Sequence, residues 1–376
     1  MKQQTNQTAI EWKEVKFKEF IDVNDRDHYT PQYFDQGVPL ISPKDFQDAG
    51  INLTKLKFVS KKELDNFVRK CNPKKGDILY SRIGTIGVPK IIDFDFDFVA
   101  LHSIAVIKSK NKEIDNKFLY YLLKSPEIKR QAKEGTKSIG TPDLGLNEIR
   151  NFKIKIPFLH GSPDLETQQK IVAILEKAEQ LKEKRKQTLK LLDEYLKSVF
   201  NEMFVGKGFE KRKGNELFEL AYGKGLSDKE RDGGKYQVYG SNGVVGNHSN
   251  YLVDGPGIII GRKGSIGEIN FTKDSFWPID TTYYIKPKEK FNLIFLFYLL
   301  KIYNLKLNTS TAIPGLNRND VYSISFIYPP LVLQQTFASI VEHVEKLKET
   351  QKKSLQDIEQ LFNVLMQKAF NGELVK

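Results

Sequence analysis

The sequence holds a single cysteine, Cys71, in 376 residues. One thiol cannot close an internal disulfide, so no cross-link supports the fold and a reducing compartment fits. No Cys/His motif surrounds Cys71, which reads as a small packing residue rather than a nucleophile. His28, His102, His160, His248 and His343 are scattered and lack metal-ligand spacing. No apolar run approaches the roughly 20 residues that span a bilayer. The polar residues 1–11 lack the apolar core of a signal peptide. A G-x-x-x-x-G-K-[ST] phosphate loop is absent, which argues against ATP hydrolysis. So is the Asn-Pro-Pro-Tyr or Asp-Pro-Pro-Tyr tetrapeptide used in amino-methyl transfer. Gly84-x-x-Gly87 and Gly264-x-x-Gly267 fall short of a dinucleotide fingerprint. The expectation is therefore no catalytic set, no bound cofactor, no metal and no membrane contact.

What the chain does have is positive charge. Lys plus Arg is 59 and Asp plus Glu is 47, a formal +12. Counted by segment, residues 164–206 carry eight charges of each sign and residues 330–376 carry six of each. The surplus lies in residues 1–163, at +7, and residues 207–329, at +5. Those two stretches are the candidates for meeting a polyanion such as double-stranded DNA.

The chain is also duplicated. Ser81-Arg82-Ile83-Gly84-Thr85-Ile86-Gly87 recurs as Gly261-Arg262-Lys263-Gly264-Ser265-Ile266-Gly267. Phe118-Leu119-Tyr120-Tyr121-Leu122-Leu123-Lys124 recurs as Phe295-Leu296-Phe297-Tyr298-Leu299-Leu300-Lys301. Pro142 and Leu144 answer Pro314 and Leu316; Gln168-Gln169 answers Gln334-Gln335; Phe204 and Gly206 answer Phe370 and Gly372. A period near 180 residues is too long for a solenoid and marks a tandem copy of whole domains. The division expected is a first domain at 1–163, a helix at 164–206, a second domain at 207–329 and a helix at 330–376. Two like domains can adopt the pseudo-twofold relation that suits two DNA half-sites.

The helical stretches carry an apolar repeat spaced at 3.5 residues, the signature of a coiled coil. One seam is Ile171, Ile174, Ala178, Leu181, Arg185, Thr188, Leu192, Tyr195 and Val199. The other is Phe337, Ile340, Val344, Leu347, Gln351, Ser354, Ile358, Leu361 and Leu365. Antiparallel pairing would bring the polar residues Arg185, Thr188, Gln351 and Ser354 to one level, where they could fix register at a cost in stability. Forty helical residues reach about 60 Å at 1.5 Å each, long enough to act as a spacer.

Each globular region reads as an irregular, strand-rich α/β domain of the mixed α+β kind. Strands are expected at 104–107, 152–156, 283–286 and 321–326, and short helices at 115–124 and 293–303. In the two Arg-bearing loops, glycines allow a tight turn and close approach to a ligand. Arg can grip phosphate, or guanine O6 and N7, with two bonds. The candidate DNA contacts are Tyr80, Ser81, Arg82, Thr85, His102 and Thr141 in the first copy. In the second they are Lys235, Tyr236, Tyr239, Ser241, Asn242, Arg262, Lys263, Ser265 and Thr311. The turn at 235–243 corresponds to residues 37–43, which differ in type, so the copies should read different sequences.

This layout resembles the specificity subunit of type I restriction–modification systems. Gly76-Asp77-Ile78-Leu79-Tyr80-Ser81-Arg82-Ile83-Gly84-Thr85-Ile86-Gly87 is similar to that family's G-D-[IL]-[LV]-x-[ST]-R-x-G-[TS]-[IV]-G motif. Ile313-Pro314-Gly315-Leu316-Asn317, followed by Ile327-Tyr328-Pro329-Pro330-Leu331 and Gln334-Gln335, resembles a target-recognition domain running into a helix. The first junction, Pro157-Phe158-Leu159-His160-Gly161-Ser162-Pro163, is longer than the usual Pro-Pro-Leu. The resemblance implies a non-catalytic, cytoplasmic subunit with one target-recognition domain per half-site. It implies two methylation subunits supplying S-adenosylmethionine, and two restriction subunits supplying ATP- and Mg-dependent chemistry. Two other readings fit the same residues: the specificity subunit of a type IIB or phage-defence adenine methyltransferase, and a coiled-coil scaffold that binds proteins.

Overall fold

The computed structural model describes residues 10–48, 50–110, 112–137, 140–303, 305 and 315–375. The chain divides into two compact units, Met1–Lys184 with Ser354–Lys376, and Arg185–Lys353. Each unit is one globular domain plus one half of each long helix, because the helices Leu165–Phe204 and Leu331–Asn371 both contribute to both units.

The first unit is built on a four-stranded sheet in the order Ile21–Asn24, Ile104–Ser109, Ile78–Ser81, Pro89–Ile91. The strand Ile78–Ser81 is buried along its whole length. Its alternate side chains serve two cores, as strand geometry requires. Ile78 and Tyr80 join Phe17, Phe118 and Leu122, whereas Leu79 joins Leu40, Val59, Phe67 and Cys71. A second sheet places Val38–Ile41 between Lys57–Val59, antiparallel, and Val99–Ala100, parallel.

The second unit repeats this topology. Its four-stranded sheet runs Phe218–Tyr222, Thr282–Pro287, Gly257–Gly261, Ile269–Thr272. Tyr236–Gly240 lies between Gly243–His248, antiparallel, and Phe276–Pro278, parallel. The residues expected to correspond to 37–43 therefore do occupy the equivalent strand. One expectation fails: Val321 lies in a short helix, Arg318–Ser323, and the strand begins at Ser325. The Asn317 side chain caps that helix, accepting from the Asn319 amide, a local signal that outweighs the β-branched residue.

The duplicated Gln-Gln has a physical reason in its first member. Gln168 is fully buried; its Oε1 accepts from the Asp115 amide at 2.8 Å and its Nε2 donates to the Glu113 carbonyl at 3.2 Å. Asp115 caps the helix Asn116–Lys124. Gln334 repeats the device, accepting from Asn292 at 3.0 Å ahead of the helix Leu293–Tyr303 and donating to the Pro329 carbonyl at 2.8 Å.

Within the second unit the long helices run antiparallel: Arg185 meets Gln351 (3.0 Å), Asp193 meets Lys348 (2.8 Å) and Phe200 meets Phe337 (5.4 Å between rings). In the first unit Lys182 lies over Phe362, 5.4 Å from its ring centre. The buried stripe departs from the expected seam at four of its eighteen positions. Ile171, Ala178, Phe337 and Val344 are buried, but so are Leu175, Leu196, Val341 and Phe362. Leu181, Tyr195, Leu347 and Leu361 face solvent instead, at 44%, 51%, 53% and 52% exposure. Each helix is flanked by its own domain as well as by its partner, which turns the stripe one position toward the sheet side.

Candidate nucleic-acid interface

In both copies the Arg-bearing loop leaves the sheet at the same place and is pinned in the same way. The Arg82 amide donates to the Ser103 carbonyl (2.9 Å) and its carbonyl accepts from the Leu144 amide (2.8 Å). The Arg262 amide donates to Thr281 (2.9 Å) and its carbonyl accepts from Leu316 (2.9 Å). Gly84 and Gly87, like Gly264 and Gly267, have φ between 70° and 83°, which only glycine adopts without strain. The loop backbone is thus a shared frame; the side chains on it differ.

In the first copy the frame closes on itself. Arg82 is 3% exposed and bonds Asp143 at 2.8 Å and Asp25 at 3.4 Å. Asp25 also meets His28 at 2.9 Å. His102 lies beside His28, 5.2 Å between rings, and burial lowers its pKa, reinforced by the charges of His28, Arg26 and Arg82. A guanidinium held by two carboxylates is committed inside the protein. Tyr80 and Ser81 are equally internal: the Tyr80 hydroxyl is pushed well above the usual phenol range by burial, and the Ser81 hydroxyl accepts from the Val88 amide at 3.0 Å. Of the expected first-copy contacts, Thr85 and Thr141 are exposed, and their loops adjoin through the Gly84 amide and Pro142 carbonyl at 2.9 Å.

The second copy is open. Arg262 is half-buried; its Nη2 donates to the Asp280 carbonyl at 2.8 Å and its guanidinium lies 5.2 Å from the Tyr222 ring. Lys263 and Asn242 are exposed and Ser265 is partly so. The Ser241 hydroxyl donates to the Thr281 carbonyl at 2.6 Å, bringing the 241–243 turn against the Arg262 loop. Lys235 is exposed over the Tyr236 ring, and Tyr236 packs edge-on against Tyr251. Tyr239 is buried and bonds Gln237, so it is a core residue. Thr311 lies outside the described residues. Asp25, His28, Asp143, Tyr222 and Arg318 were not singled out from sequence; continuing the strand register of one copy onto the other would have found Asp25 opposite Tyr222 and Asp143 opposite Gly315.

Among the described residues no cluster of His, Cys, Asp and Glu could hold a metal ion, and no helix is long and apolar enough to cross a membrane.

Two copies of one strand-rich domain, each offering the same loop at the same sheet end and each sharing the two long helices, define a duplicated recognition protein. The chain belongs to the type I restriction modification DNA specificity domain family, whose description matches residues 9–191 and again 206–360. Membership makes it a non-catalytic specificity component with two target-recognition domains. It is 23% identical to the MjaX type I restriction enzyme specificity subunit of Methanocaldococcus jannaschii, over 97% of this chain and 94% of that one. It is 26% identical to the EcoBI specificity subunit of Escherichia coli over 34% of this chain and 27% of that one. Its fold is similar to the type I restriction–modification S subunit from M. genitalium, with TM-score 0.58, 19% identity and 98% of both chains covered. A chain solved in a study of complex assembly and conformational transition of the type I system gives TM-score 0.63 at 16% identity, over 96% of this chain and 98% of that one.

Proposed function

We propose that each strand-rich domain reads one half of a bipartite duplex site, through the loop face at the end of its four-stranded sheet, and that the helix length sets the gap. The observation that carries this is the repeated frame: two pinned loops of one geometry, bearing different side chains, on the two regions that hold the net positive charge. Adenine-methylation mapping of DNA from cells expressing the chain with its methyltransferase tests it. A split motif is the expected result, and adding one helical turn to both long helices should lengthen the gap without altering either half. A contiguous motif, or a gap indifferent to helix length, would overturn the reading.

The same reading includes two methylation subunits, carrying S-adenosylmethionine for adenine N6, with restriction subunits supplying ATP- and Mg-dependent cleavage on chromosomal DNA in the cytoplasm. The exposed helix residues support two equal docking places. Leu181 with Leu361 in the first unit, and Tyr195 with Leu347 in the second, occupy matching positions of the duplicated helices. Tyr195 and Leu347 line one open groove with Leu192, Ile340 and Val344. Leu181→Glu with Leu361→Glu should reduce the methylation subunits per chain from two to one, read by mass in solution. An unchanged mass would remove the stripe from the interface.

A further inference from the structure

The two copies part company at two equivalent positions. Asn24 stands opposite Val106, so Asp25 continues opposite Ala105; Tyr222 stands opposite Tyr283, which holds the same place relative to Gly261 as Ala105 does to Ser81. Asp25 in the first copy thus corresponds to Tyr222 in the second. Likewise Ile83 bridges Asp143, and Lys263 bridges Gly315. Both carboxylates that neutralise Arg82 are missing around Arg262. In their place stands Tyr222, 51% exposed, with guanidinium groups on it from Arg262 at 5.2 Å and Arg318 at 5.5 Å. Arg318 is exposed, as are the neighbouring Lys263 and Lys224. Among the described residues neither Arg262 nor Arg318 pairs with a carboxylate. The Nε of both arginines is buried and unpartnered, so the difference lies in the terminal nitrogens: carboxylates take those of Arg82, and for Arg262 the Asp280 carbonyl accepts from Nη2.

We propose that Arg262 and Arg318, which share contact with the Tyr222 ring, form a phosphate clamp on the second unit, and that Arg82 is its neutralised counterpart, a positioning residue for its own loop. The proposal rests on the DNA reading above and adds an asymmetry to it: the salt-dependent contribution of the Arg-bearing loop belongs to the second domain and not to the first. Tyrosine and arginine are both common phosphate partners, and such contacts set register without reading bases. Each lost phosphate contact flattens the plot of log K against log salt by about 0.9.

The test uses the full chain, co-purified with its methyltransferase, and a fluorescein-labelled duplex of random sequence. Arg262→Ala and Arg318→Ala should each flatten the salt plot by about one contact. Tyr222→Asp with Gly315→Asp, which restores the first copy's carboxylates and removes no arginine, should flatten it as well. Arg82→Ala should leave the slope unchanged; where it fails to fold, Asp143→Asn serves, with an unchanged or steeper slope expected. Wild-type slopes in Arg262→Ala and Arg318→Ala, or a flattening by Arg82→Ala or Asp143→Asn, would overturn the clamp. Failure of the wild-type complex to bind duplex DNA at any salt would instead sink the DNA reading on which the clamp depends.

Discussion

Replacing Gln168 with Ala should destabilise the first unit far more than a surface change on a long helix would. Gln168 is fully buried and uses both ends of its amide, to the Asp115 N–H and the Glu113 carbonyl. Alanine leaves both backbone groups without a partner in a place water does not easily reach. An unsatisfied buried group costs about 1–3 kcal/mol, so the pair costs about 2–6 kcal/mol before any loss of packing. A domain of this size loses roughly 2–4 °C of Tm per kcal/mol, giving a drop of at least about 4 °C. Gln168→Glu should be no milder, since it buries an unpaired carboxylate with one oxygen against the Glu113 carbonyl. Gln169 is exposed, and Gln169→Ala should change stability by less than about 0.5 kcal/mol. Thermal melts followed by circular dichroism read all three. The reasoning is refuted if Gln168→Ala melts with the wild type, or if Gln169→Ala is the more damaging. Gln334→Ala and Gln335→Ala should reproduce the contrast in the second unit, where Gln334 serves Asn292 and Pro329.

Arg82→Met leaves Asp25, which is 2% exposed, without its guanidinium and should cost about 3–5 kcal/mol in urea unfolding. Adding Asp25→Asn should recover much of that loss; a double variant no better than the single would show that the buried pair is not the source. Replacing the partly buried Arg185, Thr188, Gln351 and Ser354 with Leu should raise Tm, since even buried polar layers are often outdone by apolar ones, and no gain would argue against a register role. Burial pushes the Cys71 thiol from 9.0 up to about 12. It should therefore be inert to Ellman's reagent at pH 8 in the native chain and give one equivalent in guanidinium; native labelling would contradict its place in the core. Because that folded value is raised, its contribution to stability is complete below pH 9 and is lost as pH climbs toward 12.

The duplication was legible because it rests on local, repeated needs: a glycine pair for left-handed turns, a buried Gln for a helix start, an apolar run for a strand buried on both faces. Each leaves the same mark in both copies, and the strand order of the two principal sheets repeats with it. What was not legible depends on partners distant in the chain. Arg82 and Arg262 look alike in their loops, yet one is closed by Asp25 and Asp143, 57 and 61 residues away, and the other is not. The long helices do pair along the seam, but four of its residues face solvent for a related reason. A repeat of 3.5 residues identifies an apolar stripe, but when a second apolar position sits beside it the spacing alone does not say which faces the partner helix. Leu175 lies one position beyond the seam residue Ile174, as Leu196 does beyond Tyr195 and Phe362 beyond Leu361; these flanking positions are buried, while Leu181, Tyr195, Leu347 and Leu361 are left about half exposed. An apolar residue left half exposed at the same place in both copies of a duplicated helix is only partly used by the fold in either copy. Its repetition is what supports the proposed docking places on the two units.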